Sequence, residues 1–189
     1  MALRRLMVGG NWKSNGTMGF AKSFPAEVLN GLKFDAAKVE VVVAPTALHL
    51  STVQGAITNA NVNVATQNLS LTGNGAFTGE LSGAMVQDAG IKYTLTGHSE
   101  RRALYGESDE DVAKKTKVAL DHGMTVLACI GESLQERESG KTNDVNSRQL
   151  NAINAECKDW SNIVIAYEPV WAIGTGVTAT PEVAQETHE

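Results

Sequence analysis

The sequence predicts an α/β fold in which short buried strands alternate with helices along the whole chain. Six apolar, β-branched runs have the length of strands, and helical periodicity lies between them. The runs stay apolar at consecutive positions, as is typical of parallel strands covered by helices on both faces. Two closures suit this repeat: an open doubly wound sheet, or an eight-unit barrel of which six units would be present.

The predicted strands are spread over the full length, and no linker divides them. Their ranges are Leu6–Gly10, Val39–Ala44, Asn63–Thr66, Tyr93–Thr96, Met124–Cys129 and Ile163–Tyr167. We therefore predict a single domain over residues 1–189.

Capping signals place several of the helices. Ser82 is a candidate N-cap for a helix that runs toward Gly90, and Thr180 precedes a helix with Pro181 at its first position. Residues 108–111 form an acidic first turn. Phe20, Phe24, Val28 and Leu32 recur every fourth residue and predict one apolar face, with Pro25 marking a kink or a late start.

Composition excludes several classes of protein. The net charge is −5 and no basic patch stands out, so we expect no nucleic-acid partner. No apolar run has the length of a membrane span, and the N-terminal segment is too short in apolar residues for a signal peptide. Cys129 and Cys157 are too few for a disulfide scaffold, which favours the reducing cytoplasm.

Signals for a metal or a nucleotide cofactor are missing from the sequence. The four histidines lack metal-ligand spacing. No glycine-rich dinucleotide fingerprint follows the first predicted strand. We therefore expect neither a metal nor a cofactor.

Polar residues that break the apolar pattern lie directly after three of the predicted strands. Asn11 and Lys13 follow the first strand, His98 and its polar neighbours follow the fourth, and Glu168 follows the sixth. The carboxyl ends of parallel strands share one face, which carries the active site. Residues after strands one, four and six converge only if the sheet curls, so this distribution favours the barrel.

The stretch Ala166–Gly176 has the composition of a lid over a reaction centre. Glu168 ends a strand, and Pro169 makes the connection behind it stiff. Apolar residues 170–173 and then Gly174 follow, and glycine leaves its amide unobstructed.

Each of these residues also has an ordinary structural interpretation. Lys13 could be a solvated loop lysine and His98 a hydrogen-bonded loop histidine. Glu100, Arg101 and Arg102 could form surface ion pairs of little energetic value. A base, an imidazole, a cation and an amide at the ends of three strands together favour a functional site.

Six segments of the chain resemble the triosephosphate isomerase family, in the family's order and from end to end. They are GGNWKSN (Gly9–Asn15), APTALHL (Ala44–Leu50), GAFTGE (Gly75–Glu80), TGHSERR (Thr96–Arg102), ACIGE (Ala128–Glu132) and AYEPVWAIGTG (Ala166–Gly176). The resemblance implies a TIM (β/α)8 barrel, incomplete here with six of eight βα units, and interconversion of dihydroxyacetone phosphate and glyceraldehyde 3-phosphate in glycolysis and gluconeogenesis.

The resemblance also implies a role for each site residue. Glu168 is the base that moves a proton between two carbons, and His98 polarises the carbonyl. Asn11 and Lys13 contact the triose phosphate substrate, and the amide of Gly174 binds its phosphate when the lid closes. The reaction moves protons only, so no cofactor is implied.

The loop of residues 67–80 resembles the family's dimer arm, in which Thr78 reaches toward the partner's site. Phe77 is apolar and lies among glycines, where it would be poorly placed in a monomer. We therefore expect the full-length protein to be a homodimer.

The family continues through two more strand–helix units, which carry further phosphate-binding groups. We therefore expect the 189-residue chain to be marginally stable and to have little isomerase activity, because remote binding energy serves the chemical step. The alternative is an inactive relic or interaction module of the same fold. An open doubly wound cofactor-binding protein is a third possibility, which the missing fingerprint opposes.

Overall fold

Parallel strands with a helical segment after each are the main feature of the structure, a computed structural model that describes residues 5–173, 176 and 178–189. These residues form two compact units. The first unit runs to Thr94 and includes His122–Met124, and the second consists of Leu95–Asp121 and Thr125–Glu189. Among the described residues, no helix combines the length and the apolar character needed to span a bilayer.

In the first unit, neighbouring strands pair in parallel and in chain order. Strand β1 (Leu6–Asn11) pairs with β2 (Val39–Ala44), β2 pairs with β3 (Val62–Thr66), and β3 pairs with the start of β4 (Tyr93–Thr96). Strand β2 and most of β3 are buried, so the predicted apolar runs are the core strands. Strand β1 differs, because Leu6 is 70% exposed and Val8 is 58% exposed.

The first unit has three helices in its described residues, and one of them begins at a predicted cap. The helices are α1 (Met18–Glu27), α2 (Leu50–Ala56) and α3 (Gly83–Asp88), and a short 3-10 turn covers Leu29–Gly31. Ser82 is the N-cap of α3, since its side chain accepts from the backbone N–H of Met85. Gly90 has a φ of +72°, the left-handed conformation that favours glycine after a helix.

The predicted apolar face of the first helix is wrong. Helix α1 ends at Glu27, and Val28 and Leu32 are exposed, whereas Ala21 and Pro25 of the helix are buried. Because the helix ends before Val28 and Leu32, these two positions do not extend its apolar face, whereas Phe20 and Phe24 stack with ring centroids 5.1 Å apart.

In the second unit, strand β5 (Thr125–Ile130) pairs in parallel with β6 (Ile163–Tyr167). A 3-10 turn, Val170–Ala172, follows β6. The helices of this unit are α4 (Ser99–Tyr105), α5 (Asp109–Asp121), α6 (Leu134–Glu138), α7 (Thr142–Glu156) and α8 (Pro181–His188). The acidic first turn predicted at residues 108–111 opens α5, and Thr180 caps α8 as predicted.

Helix α6 has no counterpart among the predicted helices. It spans five residues, too few for an apolar stripe to repeat. A capping box at Ser133 and Glu136 starts α6, and this is the local signal that could have revealed it.

Candidate active site

In the first unit, Asn11 and Lys13 come together in a tight turn at the end of β1. The backbone N–H of Lys13 donates to Oδ1 of Asn11 at 2.9 Å. Lys13 has a φ of +51° and is the one non-glycine residue with positive φ in the described part of the chain. The Asn11 side chain therefore shapes the backbone that presents the lysine.

A residue outside this turn, Gln67, holds its backbone and was not among the predicted site residues. Its Nε2 donates to the carbonyl oxygen of Lys13 and to that of Ala44, each at 2.9 Å. Its position directly after β3, on the side where the other polar residues follow their strands, was the available signal.

In the second unit, the structure brings His98 and Glu168 together. Nε2 of His98 lies 2.7 Å from Oε1 of Glu168, and their side chains are 8% and 16% exposed. The backbone N–H of Ser99 donates to the other oxygen, Oε2, at 2.8 Å. Both carboxylate oxygens therefore have a donor in a largely desolvated setting.

The hydrogen bonds around His98 specify its tautomer. The backbone N–H of Glu100 donates to Nδ1 of His98 at 3.2 Å, so Nδ1 carries a lone pair. The ring proton is then on Nε2 and is donated to Glu168. Helix α4 starts immediately after His98, and its first-turn N–H groups supply these donors. A neutral imidazole with its N–H directed at the carboxylate can polarise an oxygen and does not need to be charged to do so.

The backbone under Glu168 is held by the end of β5. The N–H of Glu168 donates to the carbonyl of Ile130 at 2.7 Å. A Cβ added to Gly131 would lie 1.9 Å from the carbonyl oxygen of Glu168, so the backbone at Gly131 is in direct contact with the backbone at Glu168. Next to them, burial and secondarily the charge of Glu168 raise the pKa of the Cys129 thiol, which therefore stays protonated.

The start of the predicted lid is anchored by a fully buried carboxylate. Glu132 is 0% exposed and accepts from Nε1 of Trp171 at 3.0 Å and from the hydroxyl of Tyr167 at 3.0 Å. Nη1 of Arg137 lies 3.0 Å from the same oxygen, and its guanidinium stacks 4.5 Å above the ring of Trp171. No local feature of the sequence marks Glu132 for this role, because its partners are up to 39 residues away.

The ordinary interpretation of Arg102 as a surface ion-pair residue is wrong. Its side chain is 15% exposed, and Nη1 lies 2.5 Å from Oδ1 of Asp109. Nε donates to the carbonyl of Gly97 at 2.8 Å, directly before His98. Arg102 therefore braces the turn that presents the histidine.

Two further residues were predicted for the site, Thr78 and Gly174. Thr78 is exposed on the loop of residues 67–80. Gly174 lies outside the described residues. In residues 5–173, 176 and 178–189, no cluster of three or more His, Cys, Asp or Glu side chains has the arrangement of a metal site.

Comparison with known proteins points to one family. The family model for triosephosphate isomerase matches residues 6–189. The chain is 54% identical over 187 residues to a triosephosphate isomerase of Coprinopsis cinerea, and 50% identical over 188 residues to one of Candida albicans. A triosephosphate isomerase of Neurospora crassa is 50% identical over 185 residues. Each alignment covers 98% of this chain and 74% of the relative.

Proposed function

The chain belongs to the triosephosphate isomerase family, and we propose that it interconverts dihydroxyacetone phosphate and glyceraldehyde 3-phosphate by proton transfer through an ene-diolate. Membership also confirms the predicted fold class, a TIM barrel of which six of the eight βα units are present. The enzyme is then an intramolecular aldose–ketose isomerase.

The observation that carries this proposal is the pairing of His98 with Glu168. A proton next to a carbonyl is weakly acidic, so its removal requires a positioned base and a donor to the oxygen that becomes negative. The carboxylate of Glu168 and the Nε2–H of His98 are these two groups, 2.7 Å apart and shielded from water.

The geometry indicates how substrate would engage the pair. A substrate carbonyl that takes over the Nε2–H of His98 leaves Oε1 of Glu168 without that donor and free to face the adjacent carbon. Glu168 then takes a proton from one carbon and returns it to the other. His98 stabilises the oxygen charge of the ene-diolate in between.

Lys13 and Asn11 are proposed to contact the triose phosphate substrate. The ammonium of Lys13 is suited to the anionic phosphate and ene-diolate. Oδ1 of Asn11 already accepts the backbone N–H of Lys13. The Nδ2 amide is therefore the group that Asn11 would offer to the substrate. The amide of Gly174 is proposed to bind the phosphate.

A coupled isomerase assay on the purified chain tests this function. Glu168→Gln is expected to lower kcat by about 10²-fold or more, because general-base catalysis contributes at that level. Glu27→Gln, at the exposed end of α1, makes the same chemical change away from the pair and should leave kcat unchanged. Adding a chelator to the assay should leave the activity unchanged, since a reaction that moves only protons needs no cofactor.

The same assay decides between the enzyme and the alternative. Turnover that does not exceed that of Glu168→Gln would contradict the proposal and favour an inactive protein of the same fold. The expectation of low turnover for the 189-residue chain stays a prediction until this measurement.

We also propose that the protein acts as a cytoplasmic homodimer. Leu48 is 77% exposed, and Met85 and Phe77 are exposed as well, so the first unit presents several large apolar side chains to solvent. The loop of residues 67–80 is ordered by its own contacts, including a hydrogen bond from the N–H of Ser70 to the carbonyl of Leu81 at 2.9 Å. An ordered, exposed loop with an apolar tip fits insertion into a second copy.

Sedimentation velocity tests the dimer. The full-length protein should sediment as a dimer at micromolar concentration, and Leu48→Glu should shift it toward monomer, because a charge would be buried at the interface. The same substitution at exposed Leu104, on α4, is the control. Full-length wild-type protein that sediments only as monomer would refute the dimer.

A further inference from the structure

The backbone of Lys13 is held in a conformation that lysine rarely adopts. Its φ of +51° lies in the left-handed region, where a Cβ crowds the backbone. Glycine, and less often Asn or Asp, fill such positions when nothing constrains them. A lysine stays there only when its surroundings hold it there.

Two side chains hold both backbone polar groups of Lys13. Oδ1 of Asn11 accepts its N–H at 2.9 Å, and Nε2 of Gln67 donates to its carbonyl at 2.9 Å. Asn11 is two residues away, whereas Gln67 is 54 residues away. The Asn11 contact forms within the turn, but the Gln67 contact exists only once β1 and β3 are assembled.

Both N–H donors of the Gln67 amide are used to hold backbone carbonyls. Its second contact is to the carbonyl of Ala44 at 2.9 Å, and that carbonyl also accepts the N–H of Trp12 at 3.0 Å. Both partners of Nε2 are backbone carbonyls, which require the NH₂ end of the amide, so its orientation follows from its neighbours. One side chain after β3 therefore ties together the ends of β1 and β2.

We propose that Gln67 is a positioning residue for Lys13, which through its paired hydrogen bonds to Lys13 and Ala44 keeps the lysine in the left-handed conformation that directs its ammonium at the substrate. The kinetic part of this proposal rests on the proposed isomerase function. The conformational part does not depend on it.

Kinetics of Gln67→Met give the first test. Methionine has a similar length and removes both donors. The proposal expects kcat/KM to fall by about tenfold to 10²-fold, since small misplacements of a catalytic group have effects of this size. Asn15→Leu is the matched control, because the Asn15 amide donates to the carbonyl of Trp12 at 3.0 Å in the same turn. The control should keep kcat/KM within about twofold of the wild type at an equal melting temperature.

The conformation of Lys13 gives the second test. The HN–Hα coupling and the ¹³Cα shift of Lys13 are measured by NMR on the ¹³C,¹⁵N-labelled chain. Wild type and Asn15→Leu should show the values of a positive φ, and Gln67→Met should lose them. Gln67→Asn is too short to reach both carbonyls and should behave like Gln67→Met, which covers the case in which methionine prevents folding.

The two measurements separate the proposals. If the wild type lacks turnover above Glu168→Gln, the isomerase function fails, while the NMR comparison still decides the role of Gln67. If Gln67→Met keeps the positive-φ signature at Lys13, or if Asn15→Leu loses activity to the same extent, the positioning role of Gln67 is wrong.

Discussion

Tyr93, at the start of β4, has a buried ionisable partner that the sequence analysis did not anticipate. Its hydroxyl donates to Oε1 of Glu40 on β2, and Nη2 of Arg5 lies 3.0 Å from the same oxygen. Burial and the neighbouring carboxylate raise the pKa of Tyr93 to about 12. The neutral hydroxyl is therefore the form that the folded protein stabilises.

This shift predicts a loss of stability at alkaline pH. Between about pH 10 and about pH 12 the unfolded chain loses the tyrosine proton while the folded chain keeps it, so the free energy of unfolding falls with pH. The slope from this one group is at most about 1.4 kcal/mol per pH unit. Below pH 10 its contribution is fully present.

Urea unfolding at several alkaline pH values measures this slope. Tyr93→Phe removes the titrating hydroxyl, so its stability should fall less steeply between pH 10 and 12 than that of the wild type. Tyr105→Phe is the control, because that tyrosine is exposed on α4. Equal slopes for the wild type and Tyr93→Phe would contradict the prediction.

At the scale of single residues, some residues of the candidate site were predicted from the sequence and others were found only in the structure. His98 and Glu168 were predicted from their places after strands, and the structure brings them to 2.7 Å. Gln67 and Glu132 were not assigned, since Gln67 is marked only by its position after β3 and no local feature marks Glu132 as a brace. Their roles arise from donors and acceptors that only folding brings near.

At the scale of elements, the ends of β5 and β6 set the position of the Glu168 carboxylate. Gly131 follows β5 and Glu168 follows β6, and the register pairs Ile130 with Tyr167 just before them. The 1.9 Å separation between a Cβ at Gly131 and the carbonyl oxygen of Glu168 leaves no space for a side chain.

Gly131→Ala is therefore expected to displace Glu168. The clash is with backbone, which cannot rotate away, so we expect destabilisation of about 1–3 kcal/mol. We also expect a loss in kcat of about 10²-fold, as for a misplacement of about 1 Å. Denaturant unfolding and the isomerase assay measure the two effects.

Gly55→Ala is the matched control for this substitution. Gly55 lies in α2, and a Cβ there has nothing within 4 Å, so alanine should stabilise the helix by about 0.5–1 kcal/mol. Wild-type kcat in Gly131→Ala would show that the contact does not position Glu168.

Short-range sequence signals correctly predicted where three helices begin. Caps at Ser82 and Thr180 and the acidic turn before α5 were readable because they act within four residues. Helix α4, which supplies the donors around His98, is stabilised by tertiary contacts such as those of Arg102, which no short-range signal predicts.

At the scale of the whole molecule, β1 is an exposed strand edge. Within the described residues it pairs with β2 alone, and Leu6 and Val8 remain exposed. An apolar strand edge is a template for pairing with another chain. The chain is therefore expected to self-associate through β1 at high concentration.

Val8→Lys is expected to slow this association several-fold, because a charge on an edge strand opposes pairing. Static light scattering at increasing protein concentration measures it. Leu104→Lys removes a similarly exposed apolar residue from a helix and should have a smaller effect. Equal effects of the two substitutions would show that general hydrophobicity, and not the edge of β1, drives association.

The sequence by itself determined the α/β class, the strands, the caps at Ser82 and Thr180, the family, and the placing of a carboxylate and an imidazole directly after two of the strands. These depend on apolar periodicity, on short-range hydrogen bonds and on residue order, all of which are present in the linear chain. Only the tertiary structure decided how the backbone of Lys13 is held, which ring nitrogen of His98 carries the proton, and what anchors the start of the predicted lid. Each of these depends on hydrogen bonds whose direction is set by neighbouring groups, and for Lys13 and the lid those groups are dozens of residues apart.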